Sequence, residues 1–141
     1  MDTRRYIELY NHLIETPLPQ IKAHKHKELK LNDDNRTVFR AIDGIIFNLK
    51  AALYNTTVRP ELRMTRDQYI DVYNHLVLTP LDGMVRYDQL EYSADLNNVP
   101  EYIAGTIKEI EDQYHRTREQ MGVRPVMLNS APARVAFRSS T

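Results

Sequence analysis

The chain has 141 residues, of which 42% are hydrophobic and 27% charged, a composition typical of one globular domain with a buried core. Its 19 Lys and Arg residues balance its 19 Asp and Glu residues, so no overall charge attracts nucleic acid or an anionic membrane. The lack of cysteine excludes disulfides, thiol catalysis and cysteine-based zinc sites. No apolar run has the length of a signal peptide or a membrane span, so we expect a cytoplasmic chain, or a virion component if the protein is viral.

A short helix is predicted near the N-terminus, because apolar residues recur there at helical spacing. These residues are Tyr6, Leu9, Tyr10 and Leu13. Asp2 or Thr3 can cap the helix. Thr16 precedes Pro17, and a residue before proline is pushed out of the α region, so we expect the helix to end there.

A basic loop, residues 17–31, follows the short helix. Four lysines against Glu28 give this loop a net charge of +3; the lysines are Lys22, Lys25, Lys27 and Lys30. One interpretation is a solvated loop whose charges only maintain solubility. The other is an interface that meets an acidic surface on a neighbouring copy.

A long helix is predicted next. Residues 32–34, Asn-Asp-Asp, are a helix start signal. An apolar stripe then continues to Asn55 and is formed by Val38, Ile42, Ile45, Leu49 and Ala52. Residues 56–60 are predicted to join this first half of the chain to the second.

The second half begins with a copy of the first short helix. Residues 69–81 repeat residues 6–18 with nine of thirteen positions identical, which is an internal repeat. Thr65 and Gln68 match a capping box at its start, and Thr79-Pro80 repeats the predicted stop.

The loop of the second copy has the opposite charge. In this acidic loop, residues 82–95, four acidic residues against Arg86 give a net charge of −3; they are Asp82, Asp88, Glu91 and Asp95. Tyr87 and Tyr92 are interface candidates in the same loop, because binding residues lie disproportionately on loops. The neutral total therefore conceals two loops of opposite charge.

A second long helix is predicted from Asn98 and Pro100 to Gly122. The fold class expected is all-α: a small four-helix arrangement made from two short-helix and long-helix repeats, with an extended C-terminal arm. We assign residues 1–122 to the helical body, with repeat one at 2–55 and repeat two at 65–122, and residues 123–141 to the arm. Gly44 and Gly105 lie inside the predicted long helices, where glycine is unfavourable. Close approach of another helix is the expected reason for them.

The arm, residues 123–141, contains two prolines and no acidic residue, and its pattern is not helical. Its interface candidates are Arg124, Arg134, Phe137 and Arg138. One interpretation is a frayed terminus. We favour an arm that becomes ordered on a partner, by strand addition or by filling a groove.

The sequence contains few residues in patterns typical of a catalytic or metal site. His12 and His75 are kept in both copies, four residues after Glu8 and Asp71, so a general base oriented by an acid is one hypothesis. We favour a structural role at the helix end, because no nucleophile or oxyanion donor accompanies them. A metal site in the segment 24–27, His-Lys-His-Lys, lacks further ligands, so no catalytic, cofactor or metal site is predicted.

The function expected from these features is that of a non-enzymatic structural or adaptor protein of a larger assembly. Its partners would be copies of itself or other proteins, contacted through the charged loops and the arm, and a phage neck, connector or minor capsid protein is one such component. The alternative is a small nucleic-acid-binding or regulatory protein that uses residues 22–30 and the arm arginines. An enzyme that uses His12 and His75 is a third hypothesis.

Overall fold

The computed structural model describes residues 3–84, 88–93 and 97–122. Within these ranges the chain forms five α-helices and one short 3-10 helix. They are α1 (Thr3–Leu13), α2 (Pro19–Lys22), α3 (Asn35–Val58), the 3-10 helix (Pro60–Leu62), α4 (Arg66–Val77) and α5 (Val99–Gln120). The prediction of an all-α protein is confirmed for this part of the chain.

The count of four helices was too small, because α2 forms inside the basic loop. Pro19 stands in its first turn, where the missing N–H costs nothing, and Ile21 is fully buried. Pro19 therefore starts a new helical turn within the loop that follows α1.

The short helices α1 and α4 end before their Thr-Pro pairs. The backbone N–H groups of Thr16 and Thr79 donate to the carbonyl oxygens of Leu13 and Leu76, both at 3.1 Å. These i to i−3 bonds tighten each C-terminus into a 3-10 turn. The prediction that the prolines end the helices was wrong by two to three residues, whereas the capping box of Thr65 is confirmed.

The long helix α3 begins as predicted and ends later. The Asp34 carboxylate accepts a hydrogen bond of 2.7 Å from the backbone N–H of Thr37, which is an N-cap. The helix continues through Val58, so residues 56–58 are helical and not part of a linker. The reason is burial, since Thr56 is 1% exposed and its hydroxyl donates back to the carbonyl of Leu53.

The last helix, α5, has the predicted limits. Asn98 is its N-cap, Pro100 lies in its first turn, and the helix ends at Gln120. Gly122 follows with φ of +69°, the left-handed conformation that glycine adopts most easily.

An apolar core lies between the helices of the described ranges. α1 and α2 pack on α3, α4 packs on α5, and α3 packs on α5, which joins the two halves. The rings of Tyr6, Phe39 and Tyr114 meet at its centre, with centroids 5.4 to 6.1 Å apart. Burying side chains of this size contributes about 1.5–3 kcal/mol each.

A buried polar network also crosses the contact between α3 and α5. The Asp43 carboxylate accepts hydrogen bonds from the Tyr114 hydroxyl at 2.7 Å and from the Arg118 guanidinium at 3.0 Å. The side chains of Asp43 and Arg118 are 9% and 11% exposed. Burial and the neighbouring Asp43 raise the pKa of Tyr114, so its hydroxyl keeps its proton and acts as a donor.

The interpretation of the helical glycines was wrong within this part of the chain. A Cβ built on Gly44 or on Gly105 meets nothing within 4 Å. No other helix of the described ranges therefore approaches either glycine closely.

Candidate functional site: the charged loops and the paired histidines

Two asparagines hold the charged loops at equivalent places. Asn11 donates from its amide nitrogen to the carbonyl of Leu29 at 3.0 Å and accepts from the N–H of Leu29 at 2.7 Å. Asn74 makes the same pair of bonds with Leu90, at 2.9 and 2.6 Å. Each side-chain amide thus bonds both the N–H and the carbonyl of one loop residue, as a neighbouring β-strand would. These bonds attach each loop to the short helix that precedes it.

The basic loop presents its charges to solvent. All four lysines are exposed: Lys22, Lys25, Lys27 and Lys30. Leu29 points inward and packs against the core, and Leu31 beyond it is 67% exposed. The loop is therefore a fixed basic surface, since its backbone is pinned at Leu29 while its cations lie outside.

The acidic loop is described in part. Asp88, Glu91 and Tyr92 are exposed, and Tyr92 donates its hydroxyl to the carboxylate of Asp71 on α4. This hydrogen bond is the main reason that the pKa of Tyr92 is raised, and the carboxylates of Asp71 and Asp67 add to it. Arg86, Tyr87 and Asp95, which belong to the same prediction, lie outside the described residues.

The structure extends this acidic surface onto α4. Asp67 and Asp71 both lie on its exposed side, and sequence analysis did not include them because it considered the loop alone. Arg4 occupies the position in α1 that Asp67 occupies in α4, 63 residues later. The difference in charge between the two halves therefore includes the short helices, and comparing positions 4 and 67 would have found it.

Asp82 is engaged within its own chain. Its carboxylate lies 2.6 Å from the guanidinium of Arg5, which also donates to the carbonyl of Pro80 at 2.9 Å. This bridge ties the start of the acidic loop to α1. Asp82 is therefore a weaker interface candidate than Asp88 or Glu91, because part of its charge is already balanced.

The repeated histidines contact each other. The Nε2 atom of His12 lies 2.7 Å from the carbonyl oxygen of His75, and the Nε2 atom of His75 lies 2.7 Å from the carbonyl oxygen of His12. The two rings stack with centroids 4.1 Å apart and planes 8° apart. Each ring donates an Nε2–H to the histidine carbonyl in the last turn of the other short helix, so each histidine caps its counterpart.

In this geometry neither histidine pairs with the acid four residues before it, as the general-base hypothesis requires. Glu8 lies 3.9 Å from Arg4, and Asp71 accepts from Tyr92. Burial is the largest cause that lowers the pKa of His75, which favours a neutral ring. Among the described residues the structure therefore shows a reciprocal cap at the ends of the short helices, where a structural role was favoured, and not the acid-oriented base of the other hypothesis.

The remaining candidates are the arm residues and the histidines of the basic loop, and no metal site forms among those that the structure describes. Arg124, Arg134, Phe137 and Arg138 lie outside the described residues. The rings of His24 and His26 are 6.1 Å apart, and in residues 3–84, 88–93 and 97–122 no cluster of three or more His, Asp or Glu side chains could hold a metal ion.

The chain was compared with models of protein families, with curated proteins and with solved structures, and no match was found. In the described part of the chain no helix combines the length and the apolar character needed to cross a membrane.

Proposed function

We propose that the protein is a non-enzymatic structural or adaptor component of a larger assembly, and that it contacts neighbouring copies through its two charged loops. The observation that carries this proposal is the placement of opposite charges at equivalent positions. Asn11 and Asn74 hold the two loops by the same pair of hydrogen bonds, yet one loop presents lysines and the other carboxylates.

The proposed contact is head-to-tail, with the basic loop of one copy against the acidic surface of the next. Such a contact uses two different surfaces, so it builds a ring when the rotation closes and a filament when it does not. Its strength depends on salt, because exposed charges are screened over about 8–10 Å at physiological ionic strength.

The finer architecture belongs to the same proposal. We regard the body as two copies of one unit, short helix, loop and long helix, related by an approximate twofold axis. The axis would pass between the stacked rings of His12 and His75. Their reciprocal hydrogen bonds and the matching bonds of Asn11 and Asn74 support this arrangement.

The C-terminal arm and the cellular setting complete the proposal. Residues 123–141 would become ordered on a neighbour and add to its binding. A virion component such as a phage neck, connector or minor capsid protein would combine these features, and a cytoplasmic assembly would do so equally.

Charge complementation tests the proposal. One variant reverses the four lysines of the basic loop to glutamate, so both of its loops are acidic. A second variant, Asp67→Lys, Asp71→Lys, Asp88→Lys and Glu91→Lys, has two basic surfaces. We expect light scattering after size exclusion to show that the wild-type chain forms assemblies larger than a dimer, that neither variant alone does so, and that an equimolar mixture of the two variants does so again.

The results of this experiment distinguish head-to-tail association from nucleic-acid binding. A wild-type chain that forms nothing larger than a dimer would contradict the proposal. So would a variant with the four loop lysines reversed to glutamate that still forms assemblies as large as those of the wild type. Among the described residues, only the four exposed lysines of the basic loop favour the alternative of nucleic-acid binding. It would appear as co-eluting absorbance of nucleic acid and as an affinity for DNA or RNA that falls steeply with salt.

A further inference from the structure

An apolar groove of about 510 Å³ runs between the second half of α3 and the first half of α5, and no residue of the charged loops is among its lining residues. Leu53 and Ile107 form its floor and are 9% and 3% exposed. Tyr54, which is 56% exposed, lines the α3 side, and Val58 next to it on the same helix is 51% exposed. Exposed apolar side chains therefore border the groove on its α3 side.

The α5 side of this groove carries small residues between opposite charges. Ala104 and Gly105 are both exposed, and a Cβ built on Gly105 meets nothing within 4 Å. Glycine inside a helix costs about 1 kcal/mol relative to alanine, and the described residues offer no packing reason for this one. Glu101 and Lys108, also exposed, flank the pair at a separation of two helical turns, about 10.5 Å.

The charge order along α5 is self-complementary. When two copies of this helix cross in opposite directions about a point between Ala104 and Gly105, Glu101 of each copy faces Lys108 of the other. A twofold contact makes this pair twice. Lys108 lies 3.2 Å from Asp112 in its own chain, but both side chains are largely exposed, and such a pair stabilises little enough for the lysine to be shared.

We infer that a second copy of this chain docks on the α3–α5 groove through a twofold contact in which the two α5 helices cross antiparallel at Ala104 and Gly105. The missing side chain at Gly105 lets the two helix backbones approach, and Tyr54 covers the edge of the contact. This surface is distinct from the charged loops and closes at two copies, whereas the head-to-tail contact extends beyond two.

The test uses the full chain with the four loop lysines reversed to glutamate, so that loop-mediated association is suppressed. Sedimentation velocity over a range of concentrations measures the monomer–dimer constant. Four further changes are compared in this background: Glu101→Lys, Lys108→Glu, the two together, and Gly105→Lys. Far-ultraviolet circular dichroism checks that each variant is folded.

We expect the background chain to dimerise, and each single charge reversal and Gly105→Lys to weaken the dimer at least about tenfold. The double reversal restores the opposite pairing, so its dimer should return to within about threefold of the background. A background chain that is monomeric up to about 1 mM would overturn the inference. So would single reversals without effect, or a double reversal that dimerises no better than the singles. Because the loops are already inactivated, none of these results bears on the head-to-tail proposal.

Discussion

Replacing Asp43 by alanine should be among the most damaging single changes in the body of this protein. The substitution removes the carboxylate that accepts from Tyr114 and Arg118. Arg118 is 11% exposed and cannot regain water without moving α5 away from α3. Removing one partner of a buried ion pair costs about 3–5 kcal/mol, because the other charge stays buried and uncompensated.

The lower end of that range applies here. Arg118 keeps a hydrogen bond of 3.0 Å to the Nδ1 atom of His115 and lies 5.1 Å from the centroid of the Tyr114 ring. We therefore expect Asp43→Ala to lower the free energy of unfolding by about 3 kcal/mol. For a domain of this size that corresponds to a decrease in Tm of about 10 °C.

Urea unfolding followed by circular dichroism measures the effect within a double-mutant cycle. The other members are Arg118→Met and the double variant Asp43→Ala/Arg118→Met, in which both charges of this pair are removed. The loss in free energy of unfolding of the double variant should be smaller than the sum of the two single losses by at least about 2 kcal/mol. The control is Asp112→Ala, which removes an exposed carboxylate and should cost less than about 0.5 kcal/mol. A loss below about 1 kcal/mol for Asp43→Ala, or additive single effects, would refute the reasoning.

Three further predictions concern the loops, the paired rings and the glycines. Burial lowers the pKa of His75, so the unfolded chain binds more protons than the folded chain below about pH 6.5. The free energy of unfolding should therefore fall as the pH falls from about 7.5 to 5. Urea midpoints measured across this range should depend less on pH in the His75→Gln variant. Asn74→Ala should cost about 1–3 kcal/mol and accelerate amide exchange at Leu90, whereas unchanged exchange would contradict the proposed anchor. Gly44→Ala should raise Tm by relieving about 0.5–1 kcal/mol of helix cost, whereas Gly83→Ala, at φ of +79°, should lower it.

The proposed head-to-tail contact and the proposed twofold contact use different surfaces of the same chain. In the two proposals, head-to-tail association through the loops would build a ring or a filament, and a twofold contact on α5 would pair copies of the chain. Either can be removed without touching the buried network of Asp43 and Arg118, so effects on assembly and on folding can be measured separately.

Local features could be predicted from the sequence because their determinants lie within one helical turn. Thr65 and Gln68 form the capping box, Asp34 caps α3, and Gly122 follows the end of α5. The internal repeat and the opposite charges of the two loops are likewise properties of residue order alone. An all-α fold follows from the helical spacing of the apolar residues.

Only the tertiary structure decided which polar groups meet. His12 and His75 are separated by 63 residues, and their spacing to Glu8 and Asp71 suggested partners within the helix instead. Asp43 and Arg118 are separated by 75 residues and carry no local signal. A buried polar group takes whichever partner the packing of helices brings within hydrogen-bond distance, since leaving it unpaired is costly. That choice depends on how α1 meets α4 and how α3 meets α5, and no spacing within a single helix contains it.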